Sequence, residues 1–507
     1  MASSLTTDSP GSPAGPEKTF LGQPRGLATL FMTEMWERFS YYGMKALLLI
    51  YMISGGPGAT KGLQSGGLAM NESTAIAIYS VYVAMVYLLA LPGGWLGDRV
   101  WGPRKTVTIA GVTIMAGHIV LALPGTGTFF IGLALVAIGS GLLKANISTM
   151  VGHLYKGADD PRRDGGFTIF YMGINAGAFF APLAIGTVGE KYSWHLGFAL
   201  AAVGMAIGLI VFLIGSRNLS PQSSRVPSPL SRKERNAWLR KGMIWLLIAA
   251  LFYGIVGGTG HFTLNWAMIP LTVAGVLIPA AVLIKIKRDK DLSASEQNKM
   301  SGYIWFFVAA AIFWMIYDQG GSTVQAFGTT KAAGDLWGFS FPTSWYQSLN
   351  PLFIMALAPV FAWFWLWLNR KRKEPTTVAK FAAGLFFIGV SFFFFLIPLF
   401  MAGDGTRVSP MWLVGIYLIQ TVAELCVSPV GLSVTTKMAP AKYASQMMGV
   451  WFLAVTAGDS VTGLLSIGGV DLGGTGVVTL EAVLAVLAGF AVFMYRKKVR
   501  ALMGDIH

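Results

Sequence analysis

Glu34, Arg38, Tyr41 and Lys45 recur at steps of four, three and four residues inside the otherwise apolar stretch 27–54. That spacing places them on one face of a helix, with Glu37 beside the stripe one turn before Tyr41. Two carboxylates, a guanidinium and an ammonium this close can exchange partners, take up a proton or hold a charged solute. An ionisable group at the centre of a bilayer costs roughly 2.5–3.5 kcal/mol. Lipid offers no partner for it, so the stripe must face a polar interior. Further ionisable groups occur in other apolar stretches: Lys144, Asp318 and Glu424. The acids Glu34, Glu37, Asp318 and Glu424 outnumber the bases Arg38, Lys45 and Lys144 by one, a surplus that one proton or one ammonium would cancel. A buried carboxylate with too few partners accepts a proton more readily than one in water. The set is therefore a proton-handling device in outline; static ion pairs that lock helices together are the competing reading.

The elements that must carry these groups are membrane spans. The chain has 507 residues, 54% hydrophobic and only 12% charged, with a mean hydropathy of +0.60. Soluble chains carry about twice that share of charge. Apolar blocks of spanning length fall near 27–54, 74–96, 106–123, 128–155, 167–190, 194–215, 240–258 and 263–285. Six more fall near 299–327, 343–369, 378–401, 410–438, 443–468 and 474–496, with breaks such as Gly55-Gly56-Pro57 and Asp404-Gly405 between blocks. The expectation is an all-α membrane protein of 14 transmembrane helices, two bundles of six with two extra central helices. The divisions expected are a tail 1–26, a first bundle 27–215, a linker with two accessory helices 216–298, a second bundle 299–496 and a tail 497–507.

The net charge of +15 sits in short loops, which favours a membrane-orientation reading over nucleic-acid binding. Arg99, Arg104, Lys105, Lys156, Arg162, Arg163, the bases of 217–241, those of 285–290, Arg370-Lys371-Arg372-Lys373 and the C-terminal bases all fall on one side. The other side has scattered bases such as Lys61, Lys191, Lys331 and Arg407. Positive loops mark the cytoplasm, so both termini are expected inside, in a bacterial inner membrane. Residues 1–26 lack the charged and apolar regions of a secretory signal, and the single Cys426 permits no intramolecular disulfide.

The second span ends in Gly94-Trp95-Leu96-Gly97-Asp98-Arg99-Val100-Trp101-Gly102-Pro103-Arg104-Lys105. This resembles the G-x-x-x-D-R-x-G-R-R loop of the major facilitator superfamily, in which two six-helix halves rock about a site near the membrane midplane. Asp98 and Arg99 would then belong to a cytoplasmic gate.

Glu34-Met-Trp-Glu37-Arg38-Phe-Ser-Tyr-Tyr-Gly43 is similar to the E-x-x-E-R-F-x-Y-Y-G signature of proton-dependent oligopeptide transporters. Phe170-Tyr171-Met172-Gly173-Ile174-Asn175-Ala176-Gly177 resembles that family's F-Y-x-x-I-N-x-G, and Leu143-Lys144-Ala145-Asn146-Ile147-Ser148 its L-K-x-N-I-S. The resemblance implies a bacterial-type proton:di/tripeptide symporter. Glu34, Glu37, Arg38, Lys144, Asp318 and Lys45 would couple protons. Arg38, Tyr41, Tyr42, Lys45, Tyr87, Lys144, Asn175, Trp314, Asn350, Glu424, Ser428 and Trp451 would contact substrate, with Glu424 receiving the peptide's α-amino group. The family commonly has Glu at Asp318 and often Arg at Lys45, a pair with longer reach and bidentate geometry. The histidine of animal members is replaced by Ser80, and none of His118, His153, His195, His261 and His507 lies in the charge cluster.

The expected partners are a di- or tripeptide, protons and the lipid bilayer, with no nucleic acid, no cofactor beyond the coupling proton, no metal and a monomeric chain. The same fold carrying nitrate or a peptide-like drug is the nearest alternative. A receptor with fixed ion pairs is a second. An enzyme is disfavoured, because no metal-ligand cluster, nucleophile–base spacing or phosphate-cradling loop occurs.

Overall fold

The computed structural model describes residues 19–55, 66–156, 160–402 and 406–503. The tail before 19, the Gly56-Pro57 break, Lys61, Asp404-Gly405 and His507 lie outside the described residues. Fourteen crossing segments are present among them. They are α1 Gly26–Ile53, α2 Glu72–Trp101, α3 Pro103–Leu121, α4 Thr126–Gly152, α5 Arg163–Lys191, α6 Trp194–Gly215 and α7 Arg232–Gly258. Next come α8 Asn265–Lys287, α9 Ala294–Thr330, α10 Thr343–Arg370, α11 Thr377–Met401, α12 Met411–Met438, α13 Ala444–Ile467 and α14 Thr475–Met494. A short basic helix, α15 Arg496–Met503, ends the described chain. The chain is a multi-pass membrane protein. Twelve of the segments are apolar enough to span by composition alone; α1 and α3 are not among them. In α1 the reason is the charged stripe itself.

Local chemistry sets the ends. Asn71 caps α2 by accepting from Thr74 N at 2.7 Å. Ser231 with Glu234 and Ser293 with Glu296 form reciprocal capping boxes at α7 and α9. Ahead of α1, Thr19–Phe20 and Gln23–Pro24 pair as a small hairpin, held to the rest by Tyr155 Oη donating to Gln23 at 3.1 Å.

Two hydrophobic cores form. One gathers α1–α6, the other α9–α14. The linker is docked, not free: Ser228 N donates to Asp98 O at 2.9 Å and Leu230 N to Arg99 O at 3.2 Å. The central hairpin divides its labour. In α7 only Val256 is buried, so its surface faces lipid. In α8, Thr272 and Gly275 pack against Gly463 and Ser460 of α13, and α8 closes the seam where α2 of one half meets α13 of the other.

The halves are tied at the end opposite the basic loops. Glu190 of α5 accepts from Thr343 N at 2.9 Å, Thr343 Oγ1 at 3.0 Å and Ser344 N at 2.7 Å, at the start of α10. A carboxylate is favoured there, because the first N–H groups of a helix lack partners within it. Trp345 Nε1 donates to Thr187 Oγ1 at 2.8 Å, and Ser348 Oγ to Phe179 O at 2.8 Å. Toward the basic loops α10 loses its packing: Trp363 and Leu366 are largely exposed. So are Met172 of α5 and Leu432 of α12 in part. The halves are thus tied at one end, and no residue of α10 after Ile354 is buried toward the other.

Candidate functional site

The α1 stripe lies where the two halves meet. Arg38 Nε is 3.2 Å from Glu34 Oε1 and 2.5 Å from Glu37 Oε2, and all three side chains are buried. Ser140 Oγ of α4 donates to Glu37 Oε1 at 3.4 Å. Both acids engage the same nitrogen of the guanidinium, so Arg38 Nη2 and Glu34 Oε2 keep no hydrogen-bond partner. Arg38 Cζ lies 4.9 Å from the Tyr41 ring centroid and 5.9 Å from that of Tyr42.

This placement depends on α5. Gly177, the last residue of its signature, lets α5 press on α1 at Arg38. A Cβ on Gly177 would stand only 2.3 Å from Met35 O and 3.0 Å from Arg38 Cβ. The signature asparagine of α4 is likewise a positioning residue: Asn146 Nδ2 donates to Gly93 O of α2 at 2.9 Å. It thereby sets the face of α4 that presents Lys144 toward α2. Lys144 Nζ lies 3.4 Å from the Tyr87 ring centroid and 5.5 Å from that of Phe452, a cation–π seat. It feels Glu34 and Glu37 electrostatically but has no ion pair among the described residues.

In the second half, α9 is helical over Ala294–Tyr317, tightens to a 3₁₀ turn at Asp318–Gly321 and resumes at Thr323–Thr330. The break places Asp318 beside α1, and Lys45 Nζ lies 3.6 Å from Asp318 Oδ1. This separation is an ion pair without a close hydrogen bond, as the shorter acid and the single ammonium would give. Glu424 Oε2 accepts from Tyr317 Oη at 2.5 Å and from Asn350 Nδ2 at 2.9 Å; Asn350 also donates to Thr421 Oγ1 at 3.1 Å. Those bonds fall on one oxygen and leave Oε1 to a further donor. Tyr42 stands between the poles, within electrostatic reach of Arg38, Lys45, Asp318 and Glu424.

Other residues expected at the site are placed variously. Trp314 is half-buried against Phe313 and Tyr317, its indole N–H unpartnered. Ser428 Oγ is also unpartnered. The Asn175 amide nitrogen is turned onto Tyr171 O at 3.0 Å. Trp451 is packed in the core of the second half against Phe381 and Gly431. Asp98 and Arg99 sit apart from the cluster: Arg99 donates to Ser228 Oγ and to Glu234 Oε1, both at 3.0 Å, on the linker and α7.

Sequence reasoning missed two buried acids. Asp459 of α13 is 2% exposed and Glu481 of α14 is 4% exposed. Glu481 Oε1 accepts from Gln319 Nε2 at 2.8 Å, and Gln319 follows Asp318 in the α9 break. Both acids lie inside apolar blocks near 443–468 and 474–496, so a census of every acid within a span would have found them. Counted with the four acids and three bases above, they raise the negative surplus from one to three among the described residues. Those residues hold no group of side chains arranged to bind a metal ion.

Known proteins resemble the chain over nearly its whole length. A family profile described as the POT family matches residues 104–467. The chain is 39% identical to the di-/tripeptide transporter of Lactococcus lactis subsp. cremoris, over 97% of this chain and 98% of that one. It is 35% identical to the peptide transporter YePEPT of Yersinia enterocolitica subsp. palearctica, over 91% of this chain and 90% of the relative. The crystal structure of a peptide transporter POT in complex with sulfate superposes with a TM-score of 0.89, at 41% identity, covering 96% of this chain and 97% of that one. A POT family transporter in complex with 5-aminolevulinic acid superposes at 0.88 with 33% identity, over 96% of this chain and 98% of that one. With the signatures of α1, α4 and α5 converging on one cluster between two six-helix cores, the chain belongs to the POT family of membrane transporters.

Proposed function

We propose that this protein is a proton-coupled symporter that imports di- and tripeptides across a bacterial inner membrane by alternating access. One observation carries the substrate reading. Glu424, with one oxygen unclaimed, stands in the second half, while Arg38, with Nη2 unclaimed, and Lys144, with no ion pair, stand in the first. A peptide zwitterion has an ammonium at one end and a carboxylate at the other, and would bridge these poles as a matched dipole. Asn175 and Asn350 would pair with the peptide bond whatever its flanking residues. Tyr41, Tyr42, Tyr87, Trp314, Ser428 and Trp451 would complete a tolerant lining.

In this reading residues 27–215 and 299–496 rock about the bound peptide, with the basic loops and both termini in the cytoplasm. The coupling groups are Glu34, Glu37, Arg38, Lys45, Lys144 and Asp318. A proton entering from outside neutralises an acid, frees Lys45 or Arg38 for substrate, and loosens the tie between α1 and α9. Its release inward restores the pair and expels the peptide. Each proton crossing 100 mV supplies about 2.3 kcal/mol, enough for uphill uptake of a neutral peptide. The proton is the only coupling agent required, no cofactor takes part, and a single chain contains the whole site.

The test is uptake of labelled dipeptide into liposomes under an imposed proton gradient. Accumulation that collapses with the gradient is expected; uptake indifferent to it sinks the symport reading. Another solute on the same fold is the alternative. Nitrate gives no use to Glu424, whereas a peptide-like drug or an amino acid such as 5-aminolevulinic acid, with its amine and carboxylate, would use the same poles. Competition against labelled dipeptide separates these cases.

A further inference from the structure

Lys45 and Asp318 have a third neighbour. Asp459 is almost wholly buried in α13, within electrostatic reach of Asp318 and Lys45. Helix geometry fixes it there. Thr456, Asp459 and Gly463 share one face of α13 by their spacing of three and four. Thr456 Oγ1 donates to Ala84 O of α2 at 3.2 Å, and Gly463 packs on Val81 and Ser80 of α2. The adjoining face meets α9. A Cβ on Gly458 would stand 2.6 Å from Ala311 O and 2.7 Å from Met315 N, and Thr462 Oγ1 donates to Met315 O at 3.3 Å. Asp459 therefore lies on the stretch of α13 that packs against both α2 and α9.

The chemistry of that stretch is unbalanced. Asp459 Oδ2 and Asp318 Oδ2 are both buried without a hydrogen-bond partner, and so is Tyr79 Oη of α2, whose hydroxyl feels both acids. Asp318 and Lys45 are the charges that act on Asp459. From α8, Thr272 and Gly275 pack at the neighbouring positions Gly463 and Ser460. An acid kept for packing alone would have both oxygens bonded, since an unpaired charge in the membrane interior is expensive. Two carboxylates facing one ammonium instead leave one negative charge, which one proton cancels.

We propose that Asp459 is a second protonation site, sharing with Asp318 the proton that frees Lys45. This rests on the symport reading above. It also accounts for the loose Lys45–Asp318 contact: the pair is one arm of a triad, and Lys45 is released only when the proton is shared across both acids.

The test uses the full chain in liposomes. Dipeptide uptake driven by an inside-negative potential is measured across external pH for the unaltered protein and for Asp459→Asn. Exchange of labelled for unlabelled dipeptide at equal pH, which needs folding and rocking but no net proton movement, is measured alongside. Removing one negative charge makes the remaining acid harder to protonate. The expected result is a shift of the half-maximal pH to the acid side by about one unit, the scale of two strongly interacting sites, with exchange within about twofold. An unchanged midpoint with intact exchange overturns the proposal. If the Asn variant does not fold, Asp459→Ser, which resembles Ser460 and Thr462 in type, replaces it. Loss of exchange in both variants assigns Asp459 to structure and equally overturns it. Should the unaltered protein show no gradient-driven uptake, the symport reading fails first, which is a distinct result.

Discussion

Glu34 and Glu37 share a single nitrogen of Arg38, so either acid can be neutralised without releasing the guanidinium altogether. That arrangement suits coupling better than locking. Glu34→Gln and Glu37→Gln should each lose gradient-driven dipeptide uptake, by about tenfold or more, while retaining exchange in liposomes; driven uptake at the original rate would remove the pair from the mechanism. Glu424 makes a separate prediction. Its two bonds, from Tyr317 and Asn350, orient the carboxylate and leave Oε1 for an ammonium. A hydrogen bond to a charged group is worth about 1.5–3 kcal/mol. Glu424→Gln should therefore raise the KM for a dipeptide roughly 10-fold to 100-fold. It should also erase the preference for a free amino terminus over an acetylated one, read by competition. The residue types at these positions were legible because charge inside an apolar span is conspicuous. Asp459 and Glu481 were equally conspicuous, and each was passed over for lack of a motif around it. Glu481 is bonded to Gln319 and Asp459 lies within electrostatic reach of Asp318, both on a different helix.

At the scale of the element, the signatures divide into groups that act and groups that place them. Gly177 and Asn146 are not themselves candidate substrate contacts. One brings α5 onto α1 behind Arg38, and the other fastens α4 to α2 beside Lys144. Gly177→Leu would force its side chain into Met35 O and Arg38 Cβ. A cost of about 1–3 kcal/mol in stability is expected from overpacking, together with lost transport. Thermal unfolding in detergent checks the first and liposome uptake the second; a variant as stable and active as the original would refute the positioning role. The span boundaries were readable from hydropathy and from turn and cap residues. The 3₁₀ break at Asp318–Gly321 was not, although Gly320-Gly321-Ser322 weakens the helix there, because glycine pairs also occur in unbroken membrane helices and only the packed neighbours decide between the two. Nor was the unequal burial of α7 and α8, since each carries an apolar stretch of spanning length and only a packed neighbour separates a lipid-facing helix from a seam-covering one.

For the whole molecule, the decisive feature is asymmetry between the two ends. Glu190 gathers three hydrogen bonds from the start of α10, and Lys45–Asp318 adds an ion pair. Opposite them, no residue of α10 after Ile354 is buried. A bistable transporter needs ties weak enough to break in each cycle, and each 1.4 kcal/mol removed from one state moves the populations tenfold. Glu190→Ala should therefore shift the ensemble toward opening at the end opposite the basic loops, by about tenfold or more. Spin labels placed across that end of α5 and α10 would read this as a longer-distance population. An unchanged distance distribution would show that Glu190 is not part of the closure.

The sequence by itself determined the number of spans, the side on which the basic loops lie, the family signatures and the chemical kinds of group in the membrane. It did so because each is a local or one-dimensional property: hydropathy over a window, charge in a loop, residue types at helical spacing. Tertiary structure alone decided which acid faces which base, that Lys144 rests on Tyr87 and not on a carboxylate, that Arg99 turns to Glu234, and that Glu481 meets Gln319. Those are contacts between helices far apart in the chain. Their distances depend on where small residues such as Gly177 and Gly458 let backbones approach, which no spacing within one helix can encode.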